Sequence, residues 1–234
     1  VVWQRMIHSG WLAGLTLVIA IPLSVALGVI AGLTEGRWPD SLISVLSLSV
    51  VSLPEFVTGL FLINTVALKW RDNILADWFG WFPSSSFVRA GMSFREVLPA
   101  LWLPATAATL VLMAYVIRLV RAGVIEELKR DYTRTAVLKG LPYRVVIVKH
   151  VLRNALIPTI TVIATSTGWL MSGLVVIESV FSYPGLGSLL INTAIRNRDL
   201  LLIQAIVMVT VMIISVSYTH LRAHETVLDL VCRL

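Results

Sequence analysis

Charged side chains are scarce in this chain of 234 residues, where they make up 14 % of the sequence. Typical soluble domains have about 25 % charged residues, so the composition argues against a soluble globular protein. The chain has a single cysteine, Cys232, which excludes an internal disulfide and a cysteine-rich metal site. It also lacks the Gly-Lys-Ser/Thr loop that binds nucleotide phosphates. We therefore expect no ATP hydrolysis by this chain, no catalytic residues and no metal site.

Apolar sequence is abundant and arranged in long runs, since hydrophobic residues make up 57 % of the chain. A run of about 20 apolar residues without charges predicts a membrane-spanning helix. The pattern predicts an all-α, polytopic membrane protein with five such helices, over residues 11–33, 41–68, 98–117, 155–177 and 200–216.

Small residues recur every four positions in the first apolar run, at Ala20, Ser24, Gly28 and Gly32. This spacing puts them on one face of a helix, where they let a second helix approach closely. The alternative is that glycine and alanine are simply frequent in membrane helices. Ala164, Gly168 and Ser172 repeat the pattern in the fourth run.

Glu55 is the one ionisable residue deep within an apolar run, and it follows Pro54, which interrupts the second run. A carboxylate inside a membrane is energetically costly and is by default a functional-site hypothesis. The other interpretation is a glutamate beside a kinked helix that faces a wet cavity.

The basic residues are clustered, because nine of the nineteen lysines and arginines lie between Arg118 and Arg153. This distribution is typical of a cytoplasmic loop under the positive-inside rule and argues against a nucleic-acid-binding face. Residues 118–154 are therefore placed in the cytoplasm, together with 34–40. The N-terminus and residues 69–97 and 178–199 are then outside.

The loop 69–97 is rich in aromatic side chains. Such rings are typical of a membrane interface, although they could also form walls for a ligand. They are Trp70, Trp78, Trp81 and Phe82.

A short helix is predicted within the cytoplasmic segment, over DYTRTAVLKGLP (131–142). Asp131 is expected to cap its start, while Gly140 and Pro142 are typical of its end. So short a helix is unstable alone, and Tyr132, Thr135, Ala136 and Lys139 share one face with small residues on it. We interpret it as a docking helix for a partner protein. The alternative is an ordinary polar loop with some helix. The following amphipathic segment would join it rigidly to the fourth span.

Two stretches resemble one family. RTAVLKGLPYRVVIVKHVLRNALIP is similar to the cytoplasmic loop of permease subunits of binding-protein-dependent ABC importers, and VVIESVFSYPGLGSLLINTAIRNRD to their external loop. The wider superfamily has Glu-Ala-Ala where this chain has Arg134, Thr135 and Ala136, and Leu-Pro where it has Leu152 and Arg153. Arg-Thr-Ala favours the dipeptide/oligopeptide/nickel subgroup. The resemblance covers residues 10–216.

The resemblance implies a type I importer membrane domain, with six spans in the intact family and a cytoplasmic coupling helix. Its implied function is a path for a small solute, most readily di- or oligopeptides, and it implies multi-pass insertion in a bacterial or archaeal plasma membrane. The implied partners are a second, different permease chain, two ATPase subunits that bind ATP and Mg²⁺, an external solute-binding protein and membrane lipid. No cofactor is expected on this chain.

The resemblance also implies roles for individual residues. The expected ATPase contacts are Arg134, Thr135, Ala136, Lys139, Gly140 and Leu141. The expected external loop, as a gate, a surface for the binding protein or a structural re-entrant turn, includes Glu178, Phe181, Pro184, Gly185 and Gly187. Glu55 is the candidate for the translocation path.

The predicted domain is 1–216, with the family's first span expected to be missing. Residues 217–234 resemble a translated sequencing-adapter tail and are predicted to be non-native. Two rival functions are an ion-coupled secondary transporter that needs no ATPase, and an intramembrane enzyme. The second is disfavoured because the predicted spans contain no histidine to act as a base.

Overall fold

The computed structural model describes residues 2–69, 86, 88 and 92–231 of the chain. Trp70, Trp78, Trp81 and Phe82, which we assigned to a membrane interface, lie outside the described residues. Throughout the described part, the regular structure is helical.

Nine helical segments follow one another along the described chain, three of them continued by a short π-helical stretch. In order they are α1 (Val2–Leu33), α2 (Trp38–Ser52), α3 (Glu55–Leu62, continued by Ile63–Lys69), α4 (Phe94–Leu128), α5 (Asp131–Leu138), α6 (Tyr143–Val145, continued by Val146–Val151), α7 (Leu152–Val180), α8 (Leu186–Leu189, continued by Leu190–Ile195) and α9 (Leu200–Val231).

Three described helical stretches are long and apolar enough to cross a membrane, namely Val2–Leu33, Phe94–Leu128 and Tyr143–Ile163. The pair formed by α2 and α3 makes a fourth if it is counted as one span. The fifth predicted span corresponds to the shorter apolar part of α9, Leu200–Val216. The all-α, multi-span prediction is confirmed, whereas the boundaries of the individual spans differ.

The helix α4 extends well past the predicted end of the third span at residue 117, to Leu128. Sequence reasoning ended the span there because Arg118 and Arg121 follow. The helix continues because Val116, Val120 and Val124, spaced four apart, remain fully buried on one face. The two arginines lie off that face, so the segment we predicted as a loop begins with three turns of amphipathic helix.

The second predicted span is broken between α2 and α3, whose axes differ by 104°. The break falls at Leu53 and Pro54, where the backbone is extended. Proline disfavours helical geometry in the residue before it, which explains the position of the break. Glu55 is the first residue of α3, directly after the bend.

The predicted small-residue face of α1 packs against α4, and this prediction is confirmed. Ala20, Ser24, Gly28 and Gly32 are all buried. A Cβ atom added at Gly28 would lie 2.6 Å from the Cβ of Val120, and one added at Gly32 would lie 2.7 Å from the Cβ of Val124. Two helix backbones therefore approach more closely than any larger side chain would allow.

The segments that we predicted to lie outside the membrane meet at one end of the structure. The backbone N–H of Ser86 donates to the carbonyl oxygen of Phe181 at 2.9 Å. The Nδ1 of His8 donates to the carbonyl oxygen of Pro184 at 3.1 Å. These bonds join residues of the loops 69–97 and 178–199 and of the N-terminal segment.

The segments that we predicted to be cytoplasmic meet at the opposite end. Glu35 accepts a bond from Lys129 at 3.2 Å, and Asp40 is paired with Arg121 at 2.5 Å. The turn between α1 and α2 thus lies beside the end of α4. Segments that we predicted to lie on the same side of the membrane, from their basic residues and the number of spans between them, are therefore in contact with one another in the structure.

The close approach of α1 and α4 makes a testable prediction. Gly28→Ala should lower the free energy of unfolding by about 1–3 kcal/mol, the usual cost of an overpacked site. Gly14→Ala, in the same helix but with nothing within 4 Å of the added Cβ, should not. Thermal unfolding of the purified chain in detergent, followed by tryptophan fluorescence, measures both. Equal melting temperatures for the two variants would contradict the packing assignment.

Candidate functional site

The helix α5, which was predicted to be cytoplasmic, is present, and its C-terminal end is formed as the sequence predicts. Gly140 has φ of +75°, a conformation that glycine adopts without strain. Its N–H donates to Val137 O at 3.0 Å, and the N–H of Leu141 donates to Ala136 O at 3.4 Å. This pair of bonds is a Schellman motif, which satisfies carbonyl groups at the end of a helix.

The N-terminal end of α5 differs from the prediction. Arg130, with extended backbone, is the capping residue, and Asp131 is the first helical residue. Asp131 thus lies one residue past the cap position, so its expected role as the cap was wrong. Its carboxylate lies in the first turn, where negative charge is favourable beside the free N–H groups of the helix.

The helix α5 is fastened to the helices on either side of it. The hydroxyl of Thr133 donates to the carbonyl oxygen of Glu127, near the end of α4, at 2.8 Å. The hydroxyl of Tyr132 donates to the carboxylate of Glu127 and accepts a bond from Asn154 of α7 at 3.0 Å. Burial raises the pKa of Tyr132, as does its bond to Glu127, so the phenol keeps its proton at neutral pH.

A second close contact joins α4 to α7 near the docking helix. A Cβ added at Gly123 would lie 2.9 Å from the carbonyl oxygen of Ala155. The helices before and after α5 are therefore packed backbone to backbone within a few turns of it. The rigid connection expected from sequence is consistent with this geometry.

The face that we predicted for docking borders a groove of about 310 Å³. The residues lining it are Tyr132, Thr135, Ala136, Lys139, Leu141 and His150. Ala136 is 6 % exposed, so it packs against its own chain, whereas Tyr132 is exposed and bonded to Glu127. Arg134, Thr135, Lys139 and Gly140 are exposed.

Sequence reasoning missed the apolar side chains that this helix presents to solvent. Leu138 is 79 % exposed and Val137 51 %, and Tyr143 just after the helix is also exposed. An exposed apolar cluster at the water-facing end of a membrane protein indicates a protein interaction site. The signal was in the sequence, as two apolar residues in a short, otherwise polar segment, but only the fold shows that they are not buried.

At the opposite end, Glu178 lies in the last turn of α7 and not in the following loop, because α7 continues to Val180. Its carboxylate is 1 % exposed. Oε1 accepts a bond from the hydroxyl of Ser9 at 2.5 Å, and Oε2 accepts the N–H groups of Gly187 at 2.7 Å and Ser188 at 3.2 Å. The N–H of Leu186 donates to the Ser9 oxygen at 2.8 Å. Glu178 and Ser9 thus satisfy the free N–H groups at the start of α8.

The two glycines of this loop are required by its tight packing. A Cβ at Gly185 would collide with the Glu178 carboxylate, and one at Gly187 with the backbone of Val175. Phe181 and Tyr183 are fully buried, and the Tyr183 hydroxyl donates to the carbonyl oxygen of His8 at 3.0 Å. The loop is therefore tied to α1, α7 and α8, while Pro184 at its bend is half-buried.

The side chain of Glu55 packs against a glycine of α7, in the space that a larger residue's side chain would occupy. A Cβ added at Gly173 would lie 2.8 Å from both carboxylate oxygens of Glu55. The carboxylate is half-buried and faces α7 directly after the bend between α2 and α3. Neither sequence spacing nor composition indicated Gly173 as its neighbour.

The amino-acid sequence matches a known family. Residues 24–228 match the family described as "Binding-protein-dependent transport system inner membrane component". The chain belongs to this family, so it is an inner-membrane, multi-pass transport component with the membrane-domain fold of type I ABC importers. The resemblance inferred from sequence is confirmed.

Individual relatives are similar over most of this chain. The glutathione transport system permease protein GsiC of Shigella flexneri serotype 5b (strain 8401) and that of Escherichia coli (strain K12) are each 36 % identical to it over 202 residues. The protein of the same name from Shigella boydii serotype 4 (strain Sb227) is 35 % identical. Each alignment covers 86 % of this chain and 60 % of the relative, so the chain spans about 60 % of the length of these relatives.

The network around Glu178 makes a testable prediction. Glu178→Leu would leave the N–H groups of Gly187 and Ser188 unpaired, at a cost of about 1–3 kcal/mol for each buried group. Hydrogen exchange of these two amides, followed by mass spectrometry, should accelerate strongly. Glu178→Gln keeps one acceptor oxygen for them and can donate to Ser9, so it should change the exchange much less. Unchanged protection in Glu178→Leu would contradict the capping role.

Proposed function

We propose that this chain forms part of the membrane path of an ATP-driven importer for small peptides. The relatives carry glutathione in their names, and glutathione is a tripeptide, which agrees with the di- and oligopeptide class that the sequence favours. We propose solutes of two to a few residues. Family membership gives no support to the ion-coupled alternative.

The observation that carries this proposal is the exposed apolar tip of a helix that is otherwise held firmly. Leu138 and Val137 are exposed, whereas Thr133 and Ala136, on the face opposite Leu138, are buried. A helix of eight residues is too short to be stable by itself. Because α5 is attached to α4 and α7, a displacement of α5 by a partner protein can be transmitted to these helices as a rigid-body movement.

The partner at this helix is proposed to be an ATPase subunit that binds ATP and Mg²⁺. The contacts assigned to the ATPase are those of Arg134, Thr135, Lys139, Gly140 and Leu141, with Leu138 added from the structure. Ala136 belongs to the same helix, but its burial supports a role in seating the helix on its own chain. The full assembly would have a second, different permease chain, two ATPase subunits and an external binding protein.

The loop at the opposite end is proposed to be a fixed part of the outer mouth. Glu178, Phe181, Gly185 and Gly187 are buried and bound to the surrounding helices, which supports a platform rather than a freely moving gate. The half-buried Pro184 is the part of this set available to a binding protein. We propose that the membrane domain comprises residues 1–216, and the non-native character of 217–234 stays a prediction.

Glu55 is proposed to line the solute path. It is an acid held over a glycine within the broken span, and a carboxylate in such a position can bind the ammonium group of a peptide.

The docking assignment is tested by placing a charge on the exposed tip. In proteoliposomes containing the complete permease, its partner subunits and the binding protein, Leu138→Asp should abolish co-purification of the ATPase and ATP-dependent uptake of glutathione or dipeptides. The reason is that an apolar contact would be replaced by a carboxylate that must be desolvated. Arg37→Asp, at another exposed cytoplasmic position, should change neither.

Since Leu138 is exposed, its variant should fold as the parent does. Retained ATPase capture by Leu138→Asp would contradict the docking assignment. Uptake by the parent driven by a proton gradient without ATP would contradict the proposed function itself.

The role of Glu55 is tested by Glu55→Gln. A hydrogen bond to a charged group is worth about 1.5–3 kcal/mol, so the initial rate of peptide uptake should fall about ten-fold or more while ATPase capture is retained. Glu96→Gln, which neutralises an exposed acid at the start of α4, is the matched control. Equal uptake by the two variants would remove Glu55 from the path.

A further inference from the structure

The turn between α1 and α2 is bound to α4 by a buried carboxylate. Asp40 is 4 % exposed, and its Oδ1 and Oδ2 accept bonds from Nε and Nη2 of Arg121 at 2.5 and 2.8 Å. Oδ2 also accepts the N–H of Gly36 at 3.0 Å, and Oδ1 accepts the hydroxyl of Ser44 at 3.3 Å. A two-pronged arginine–carboxylate pair fixes orientation as well as distance.

This pair is a directional polar attachment of α2 to α4. Of the fifteen residues of α2, two are buried, Asp40 and Ser47. The hydroxyl of Ser47 donates within its own helix, to Ile43 O at 2.7 Å. Several large apolar side chains of α2 are exposed, including Leu46 and Val51. The helix thus buries few of its own side chains, and the contact at Asp40 ties its first turn to α4.

The other member of the pair lies on the helix that leads into α5. Arg121 is in α4, ten residues before Asp131, and α4 runs without interruption to Leu128. Thr133 of α5 is bonded to Glu127 of α4. A displacement of α5 would therefore be carried along α4 to the guanidinium group of Arg121.

The far end of α2 leads to the segment that carries Glu55. The bend of 104° at Leu53 and Pro54 separates α2 from α3, and Glu55 is the first residue after it. A tilt of α2 at its cytoplasmic end would change the position at which α3 begins.

We propose that Asp40 and Arg121 are positioning residues that transmit the movement of α5 and α4 to α2, and through the bend to the segment that bears Glu55. This inference rests on the proposed importer function. It adds a second route from the docking helix into the membrane, since the first runs directly from α5 through α6 into α7.

The test measures peptide imported per ATP hydrolysed, in proteoliposomes containing the complete importer. Asp40→Asn keeps the shape of the side chain but removes its charge, and should lower this ratio about five-fold or more, the lower range of coupling between sites. A purely structural role would lower import and ATP hydrolysis together, because less folded complex is present, and would leave the ratio unchanged.

The neighbouring ion pair of Glu35 and Lys129 provides the matched control. It joins the same turn to the same helix at 3.2 Å, but its side chains are 48 % and 66 % exposed, and such pairs contribute little. Glu35→Gln should leave the ratio at the parent value.

A normal ratio in Asp40→Asn would overturn the inference. If Asp40→Asn does not assemble, Arg121→Lys answers the same question, because lysine keeps the charge but not the two-pronged geometry; a lowered ratio supports the inference and a normal one overturns it. If the parent neither binds an ATPase nor imports peptide with ATP, the proposed function fails. If the parent does both and the variants keep its ratio, only the inference fails.

Discussion

The close packing of α1 on α4 is the constraint on which the other features depend. Gly28 and Gly32 allow the two backbones to meet at Val120 and Val124. In a membrane, helix association relies on such contacts because lipid supplies no hydrophobic driving force between helices. This seam keeps α4 helical beyond the apolar run and places Arg121 beside the α1–α2 turn.

The two ends of the structure are held together differently, in line with their proposed tasks. At the outer end, a buried carboxylate at Glu178 binds Ser9 and the first N–H groups of α8, so helices from distant parts of the chain form one unit. At the end proposed to be cytoplasmic, α5 is bonded on its inner face and exposes Leu138 on its outer face. A helix that is bonded to its own chain on one face and exposes an apolar side chain on the other is suited to transmit the movement of a bound partner.

A polar contact ties the first turn of α2 to α4. The helix α2 buries Asp40 and Ser47 alone among its residues, and its orientation depends on the bonds of Asp40 to Arg121. Such a pair is directional, whereas apolar packing can slide, so it can fix the angle of the helix. Because α3 follows α2 directly after the bend at Pro54, a change in the orientation of α2 would move Glu55.

The sequence by itself determined the helical membrane class, the small-residue seam, the end of α5 at Gly140 and the grouping of segments on two sides, because each follows from local composition or period. It did not determine that Leu138 is exposed and Ala136 buried, that Glu178 caps α8, or that Asp40 meets Arg121. These depend on residues that are 9 to 169 positions apart along the chain or on which face of a short helix is covered. Only the tertiary structure decides such contacts, since no local pattern records which surfaces meet.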